Sequence, residues 1–204
     1  MSGNQSSTNA TNILVQYLDG TTKQVSGFDK IPNREQVSAI TCNYCGLRTL
    51  PAGLVFPELV SFNCSANQLV EIPDDMRMPK LRKLWCYGNK LRKLPDDLSA
   101  RFPCLELLWC GGNFLTALPA MEFTNLREFN CENNQLSQLN ETMNIPNLNH
   151  FVCCGNKLTR FPKAMLGWQK LKYLDISSNF GAELLILSDG QKIFLFDKNI
   201  QIKY

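Results

Sequence analysis

The most constraining feature of the sequence is a cysteine that recurs at nearly constant spacing through the middle of the chain. The series has gaps of 22, 22, 24, 21 and 22 residues and consists of Cys42, Cys64, Cys86, Cys110, Cys131 and Cys153. Ile176 continues it 23 residues later. A large apolar residue lies two positions before each member, and asparagine lies three positions after all but the first. Self-similarity at such a period indicates stacked structural repeats.

Each repeat unit has the pattern of a short strand followed by a turn. Alternate side chains of a strand face opposite ways, so the apolar residue and the cysteine two positions later share one face. A single repeat leaves that face in water, whereas stacking buries it as a continuous core. A free cysteine packs as a small hydrophobe, and asparagine has donor and acceptor groups for the backbone of the turn. The sequence therefore predicts a solenoid in which these residues are structural.

The unit LxxLxCxxNxLxxLP resembles the repeat of the leucine-rich-repeat family over about residues 37–179. The first unit has Cys45 in place of asparagine, and the family accepts either residue there. The resemblance implies an α/β repeat solenoid, a horseshoe with a concave parallel β-sheet and with turns or short helical segments on its convex side. The recurring Leu-Pro endings, with PDDM and PDDL after two of them, resemble the short intracellular subclass. That subclass includes eukaryotic scaffolds and the effectors that bacterial pathogens inject into host cells.

Both ends of the array carry the signal of a β-hairpin. Asp19-Gly20 and Asp189-Gly190 each lie between two strand-like runs, which is a strong hairpin pattern. Solenoids must cover their terminal core faces, so both hairpins are predicted to be caps. The expected organisation is a flexible N-terminus (1–11), an N-terminal hairpin cap (12–36), about seven repeats (37–181) and a C-terminal hairpin cap (182–204).

The outward residues of the strands form the candidate binding surface. Trp85 and Trp109 occupy equivalent positions on adjacent strands, which places their backbones about 5 Å apart. Aromatic residues with charged surroundings have the composition of a protein-binding hot spot. The predicted partner-binding residues are Trp85, Trp109, Tyr87, Lys83, Leu107, Glu128, Asn130, Glu132, His150, Val152, Tyr173 and Asp175. The alternative is that the two tryptophans only pack on each other or on a cap, whereas Trp168, in a convex turn, is expected in the core.

The sequence gives no catalytic, cofactor-binding or metal-binding candidates. His150 is the only histidine, and four residues of strand would hold it about 13 Å from the outward Cys154. The CNYC segment from Cys42 to Cys45 has the spacing of a zinc or redox pair. Both cysteines already fill repeat positions, however, and no second pair completes a four-ligand site. Cys154 is expected to react quickly with thiol reagents and the inward cysteines to resist them.

Nucleic acid and membrane are weaker candidates as partners. The segment KLRKLWCYGNKLRKLP is basic and aromatic, which would suit phosphates and stacked bases. The formal net charge is only +3, however, and acidic residues balance the basic ones along the strands. No apolar run reaches the roughly 18 residues of a membrane span, and the N-terminus lacks a signal-peptide pattern. An odd number of cysteines, nine, then favours free thiols in a cytoplasm, that of the source cell or of a host cell.

These observations predict a non-enzymatic module, monomeric alone, that binds a partner protein through its concave face without a cofactor. It would act as an inhibitor or adaptor, in the manner of a bacterial effector or a eukaryotic cytosolic adaptor. The alternatives are a nucleic-acid-binding repeat protein and the repeat domain of a larger enzyme.

Overall fold

The fold is described by a computed structural model that covers residues 12–179 and 187–203. The predicted flexibility of residues 1–11 lies outside these ranges. The strands are β1 (Ile13–Tyr17), β2 (Thr22–Val25), β3 (Val37–Thr41), β4 (Ser61–Asn63), β5 (Lys83–Trp85), β6 (Leu107–Trp109), β7 (Glu128–Asn130), β8 (His150–Val152), β9 (Tyr173–Asp175) and β10 (Gln201–Lys203). The α-helices are α1 (Leu98–Arg101) and α2 (Asp189–Asp197), and short 3₁₀ helices span Phe28–Lys30, Arg34–Gln36 and Lys163–Gly167.

All of these strands belong to one sheet, in the order β10-β9-β8-β7-β6-β5-β4-β3-β1-β2. From β3 to β9 every neighbouring pair is parallel and in register, so that Ile40 lies beside Phe62 and Phe62 beside Leu84. Parallel neighbours require a long connection, and each connection here crosses the opposite, convex side as turns and short helical segments. The predicted solenoid with a concave parallel sheet is confirmed, with seven parallel strands joined by six turns.

The core consists of the inward residues of the strands and the apolar residues of the convex turns. The six cysteines of the repeat series are all buried and free. Phe129 and Phe151 stack with their ring centroids 5.2 Å apart. Trp168 packs edge-on against Phe151, at 5.5 Å between centroids, and is 1% exposed. It is therefore a core residue, as the sequence predicted, although its buried Nε1 has no hydrogen-bond partner among the residues that the structure describes.

The asparagine after each strand joins two repeats. Asn134 Nδ2 donates to the carbonyl oxygens of Cys131, at 3.0 Å, and of Cys110 in the preceding repeat, at 3.1 Å. Its Oδ1 accepts from the backbone N–H of Leu115 at 2.9 Å. Equivalent bonds are made by Asn67, Asn89, Asn113, Asn156 and Asn179. Because each asparagine bonds within its own repeat and also to the preceding one, it closes its own turn and fixes the spacing between the two repeats.

A β-hairpin covers the first parallel strand. β1 pairs antiparallel with β2 and with β3, with Ile13 opposite Val25 and Val15 opposite Ile40. In the turn between β1 and β2, Gly20 has a φ of 83°, a conformation that glycine adopts without strain. Asp19 Oδ1 accepts from the Thr21 backbone at 2.9 Å. The hairpin expected at Asp19-Gly20 is therefore present.

The prediction of a second hairpin at Asp189-Gly190 is wrong. These two residues open helix α2, and Ser188 caps it: Ser188 Oγ accepts from Gln191 N, and Gln191 Oε1 accepts from Ser188 N at 3.0 Å. The chain then returns as β10, parallel to β9. A strand that joins a parallel sheet needs a crossover rather than a tight turn, and the Ser-x-x-Gln capping box starts the helix of that crossover. The first strand of the expected hairpin falls mainly on residues outside the described ranges.

We predict that Asn134→Ala lowers the free energy of unfolding by about 2–4 kcal/mol. The substitution leaves the buried N–H of Leu115 without its partner, which costs about 1–3 kcal/mol. It also removes one of the two asparagine hydrogen bonds at each of the carbonyl oxygens of Cys110 and Cys131, which keep their bonds from Asn113 and Asn156. Urea unfolding followed by circular dichroism measures the loss. Gln135→Ala is the matched control, since Gln135 is adjacent and exposed and should change stability by less than about 0.5 kcal/mol. Equal stability of the two variants would contradict the structural role of Asn134.

We also predict that a chain ending at residue 186 aggregates. Loss of α2 and β10 uncovers β9 and the apolar edge formed by Leu174 and Ile176, which are buried in the intact chain. An open sheet edge beside a bare core face associates with other chains. Gel filtration of the truncated and full-length chains tests this. A monomeric truncation with the melting temperature of the full chain would show that the C-terminal segment is not a cap.

Candidate functional site

The concave sheet aligns the predicted binding residues in columns. Trp85 of β5 lies beside Trp109 of β6, and Lys83 lies beside Leu107 in the same pair of strands. Trp109 is 38% exposed, as is Tyr87, which follows β5 by two residues. Trp85 is half-buried. The structure therefore brings the aromatic residues together on the concave surface with their side chains partly open to solvent.

Two glycines, Gly111 and Gly112, lie in the turn beside these aromatic residues and leave space for larger side chains. The sequence analysis did not identify this role. A Cβ at Gly111 would lie 2.8 Å from Glu132 Cγ, so the side chain of Glu132 occupies the space above this glycine. A Cβ at Gly112 would lie 3.4 Å from Tyr87 Cζ, so the tyrosine ring leans over the same turn. Tyr87 and Glu132 thus flank one glycine pair. The available signal was LWCGGN, whose glycine directly after the inward cysteine occurs in no other repeat.

The other half of the face presents a second aromatic pair. His150 of β8 and Tyr173 of β9 are neighbours in the sheet. Their rings are stacked, with centroids 4.4 Å apart and an interplanar angle of 11°. Glu128 lies beside His150, and Asn130 Oδ1 accepts from the backbone N–H of Glu132 at 2.9 Å. Asn130 therefore holds the turn that carries Glu132 as well as contributing to the surface.

Val152 and Asp175 are not exposed on this face, contrary to the prediction. They are only 9% and 4% exposed. Asp175 accepts hydrogen bonds from Ser177 Oγ at 2.6 Å and from Lys203 Nζ at 3.0 Å. Burial raises the pKa of Asp175, but these hydrogen bonds outweigh it and hold the pKa below its ordinary value. The physical reason is β10, which pairs with β9 and places Lys203 beside Asp175.

The surroundings of Cys154 disfavour the thiolate form that fast labelling would require. Cys154 is half-buried, and its Sγ lies 3.6 Å from Glu132 Oε2. Burial, together with the carboxylates of Asp175 and Glu132, raises the pKa of Cys154 to about 11. Since the thiolate is the reactive form, the structure predicts slow labelling at neutral pH, in place of the fast labelling expected from the sequence. Burial also raises the pKa of the inward thiols of the repeat series at Cys86, Cys110, Cys131 and Cys153.

Within residues 12–179 and 187–203, no three His, Cys, Asp or Glu side chains are placed to hold a metal ion. Over the same residues, none of the helices has the length and hydropathy needed to traverse a lipid bilayer. Cys45 of the CNYC segment instead donates its thiol to the carbonyl oxygen of Asn12, at 3.3 Å.

Comparisons with known proteins agree with this architecture. No family model matches the sequence, and the curated proteins gave no match. Among solved structures, YopM from Yersinia enterocolitica is 26% identical with a TM-score of 0.65, over 79% of this chain and 32% of that one. A leucine-rich-repeat protein of Leptospira interrogans is 19% identical with a TM-score of 0.59, over 83% of this chain and 49% of that one. An internalin of Listeria monocytogenes is 19% identical with a TM-score of 0.51, over 72% of this chain and 42% of that one.

The repeat pattern, the solenoid and these similarities together show a leucine-rich-repeat fold. The chain spans less than half the length of each solved structure described above.

We predict that Cys154 is alkylated slowly at neutral pH and faster as the pH rises toward about 11, the value to which its pKa is raised. Glu132→Gln removes a nearby negative charge and should lower this pKa, so alkylation at pH 8 should accelerate. Iodoacetamide labelling read by peptide mass spectrometry measures the rate at each site, with Cys154→Ser as the control that identifies the signal. Rapid labelling of Cys154 at pH 7, with no response to Glu132→Gln, would contradict the environment described above.

Proposed function

We propose that this protein is a non-enzymatic recognition module that binds a partner protein on its concave face. The observation that carries the proposal is the group of partly exposed aromatic residues Trp85, Trp109 and Tyr87 on the sheet. Large exposed aromatic groups on a folded surface are typical of binding sites. The similarity to other leucine-rich-repeat proteins supports the same interpretation.

The chemistry around the aromatic residues suits a protein surface. Tryptophan and tyrosine supply large rigid contact areas, so ordering them on binding costs little conformational entropy. Lys83, Glu128 and Glu132 surround them and form no salt bridge with any residue in the described ranges. Their charges therefore remain free to pair with a partner, which favours orientation and specificity. Leu107, Asn130, His150 and Tyr173 complete the proposed surface, whereas Val152 and Asp175 leave it because they are buried.

The proposed mode of action is occupation of a partner's surface. The thiol of Cys154 is protonated at neutral pH, with carboxylates rather than a base beside it, and the ring of His150 stacks on Tyr173. This arrangement offers no activated nucleophile. We therefore propose inhibition or scaffolding. The origin of the three similar structures in Yersinia, Leptospira and Listeria favours a bacterial effector that acts in a host cell.

We predict that Trp109→Ala and Trp85→Ala each weaken partner binding by about 2 kcal/mol or more with little change in melting temperature. Tagged wild-type and variant chains would capture proteins from lysates of host cells, and mass spectrometry would identify the partner lost by both variants. Titration calorimetry with that purified partner then gives the affinities.

Phe114→Ala is the matched control for these variants. Phe114 is 48% exposed, but it follows the asparagine of its repeat and lies beyond the strand. The control should bind normally. Retention of the same partners with unchanged affinity by both tryptophan variants would exclude the proposed surface. A lowered melting temperature with normal binding would show that the tryptophans stabilise the fold and do not bind the partner.

A further inference from the structure

A second concavity, separate from the aromatic residues, lies at the rim of the sheet where the chain enters β7, β8 and β9. Its volume is about 270 Å³, and it is lined by Asn125, Arg127, Asn147, Asn149 and Lys170. The lining contains two cations and three carboxamides and no carboxylate. We propose that this rim pocket binds a small oxyanion of the phosphate class.

The repeat register explains why positive charge accumulates here. Asn125, Asn147 and Lys170 are 22 and 23 residues apart, and so occupy the same position in three successive repeats. At this position in earlier repeats, Lys80 pairs with Glu58 at 2.7 Å. In the column two residues further on, Arg82 pairs with Glu106 at 2.8 Å. Along the first repeats the cations of both columns are thus neutralised by a carboxylate one repeat away.

In the rim pocket, the positions next to the two cations carry asparagine instead of a carboxylate that could pair with them. Arg127 has Glu106 and Asn149 as its column neighbours, and Glu106 is engaged by Arg82. Lys170 has Asn147 beside it. Neither Arg127 nor Lys170 forms a salt bridge with any residue that the structure describes. The pocket therefore holds two uncompensated positive charges, a state that a bound anion would neutralise.

The pocket is also preorganised. Asn147 Nδ2 donates to the carbonyl oxygen of Thr124 at 2.5 Å, and Asn125 Nδ2 donates to that of Pro103 at 3.3 Å. Each amide is thus fixed to the preceding repeat and keeps a second N–H. The backbone of Asn149 is held by a bond of its N–H to the Arg127 carbonyl oxygen at 2.9 Å. Donors held in place by the fold lose little entropy when a ligand binds.

The donor set and the size of the pocket favour phosphate. The planar guanidinium of Arg127 can bind two oxygens of an oxyanion at once, and the ammonium of Lys170 supplies a compact charge. Carboxamide N–H groups are neutral donors that suit the remaining oxygens. The volume, about 270 Å³, lies below the roughly 300–1,000 Å³ of pockets for drug-sized ligands. A single phosphate group therefore fits the pocket better than a nucleotide does.

The test is a titration of the ¹⁵N-labelled protein with inorganic phosphate, followed by NMR at constant ionic strength set with sodium chloride. The side-chain amide signals of Asn125, Asn147 and Asn149 should shift and saturate. Arg127→Ala and Lys170→Ala should each weaken binding about tenfold or more, the expected effect of losing one charge-assisted hydrogen bond. Asn149→Asp, which keeps the shape of the pocket but adds a negative charge, should abolish the shifts.

Two matched controls and a second ligand complete the experiment. Arg92→Ala and Lys157→Ala each remove one exposed cation away from the pocket and should leave the titration unchanged. Equal weakening in these controls, shifts of the same size with chloride alone, or no shift with phosphate would overturn the proposal. If Arg127→Ala does not fold, Lys170→Ala and Asn149→Asp decide. A short phosphoserine peptide that binds more tightly than phosphate would identify a phosphorylated protein as the source, whereas equal binding would identify the free ion.

Discussion

The side-chain amide of one asparagine per repeat is the interaction on which the rest of this structure depends. Asn134 illustrates it: one amide donates to carbonyl oxygens in two repeats and accepts from a backbone N–H in the preceding one. The backbone of a sharp turn cannot satisfy these groups by itself, and burying them without partners would be costly. Because the same side chain bonds within its own repeat and to the preceding one, closure of the turn and stacking of the solenoid are coupled. The asparagine bonds therefore hold successive strands in the same register.

That register gives the surface its chemistry. Side chains at one repeat position form a continuous column across the sheet. Each of them therefore has the equivalent side chains of the adjacent repeats as neighbours at a fixed spacing. Trp85 and Trp109 become one aromatic area in this way. By the same geometry, Arg127 and Lys170 come to share a pocket with asparagines. Gly111 shows the opposite effect, since the absence of a side chain there lets the side chain of Glu132 from the next repeat occupy the space above it. Recognition in such a fold is therefore decided by what adjacent repeats place side by side.

The candidate site was predictable from the sequence only in its middle. Between β5 and β8 each outward residue is flanked by equivalent residues of two other repeats, so the period alone placed Lys83, Trp85, Leu107 and Trp109 on the face. The prediction failed in the last two parallel strands, at Val152 of β8 and Asp175 of β9, which are both buried. Asp175 lies beside β10 instead of a further repeat, and Lys203 reaches it across 28 residues of sequence. The raised pKa of Cys154 has a related cause, since it depends on burial and on carboxylates from the repeats on either side.

The sequence by itself determined the period, the strands, the inward and outward faces and the N-terminal hairpin. These features follow from local alternation, from turn residues and from contacts between nearest repeats, all of which are visible as short-range patterns. Only the tertiary structure decided the C-terminal cap, the burial of Val152 and Asp175 and the existence of the rim pocket. The Asp189-Gly190 pair suits a turn or a helix start equally well, and the parallel partner that β9 required selected the helix. The burial of a side chain and the balance of charges around it depend on which residues distant in sequence become its neighbours. Those neighbours are determined only by the folded tertiary structure.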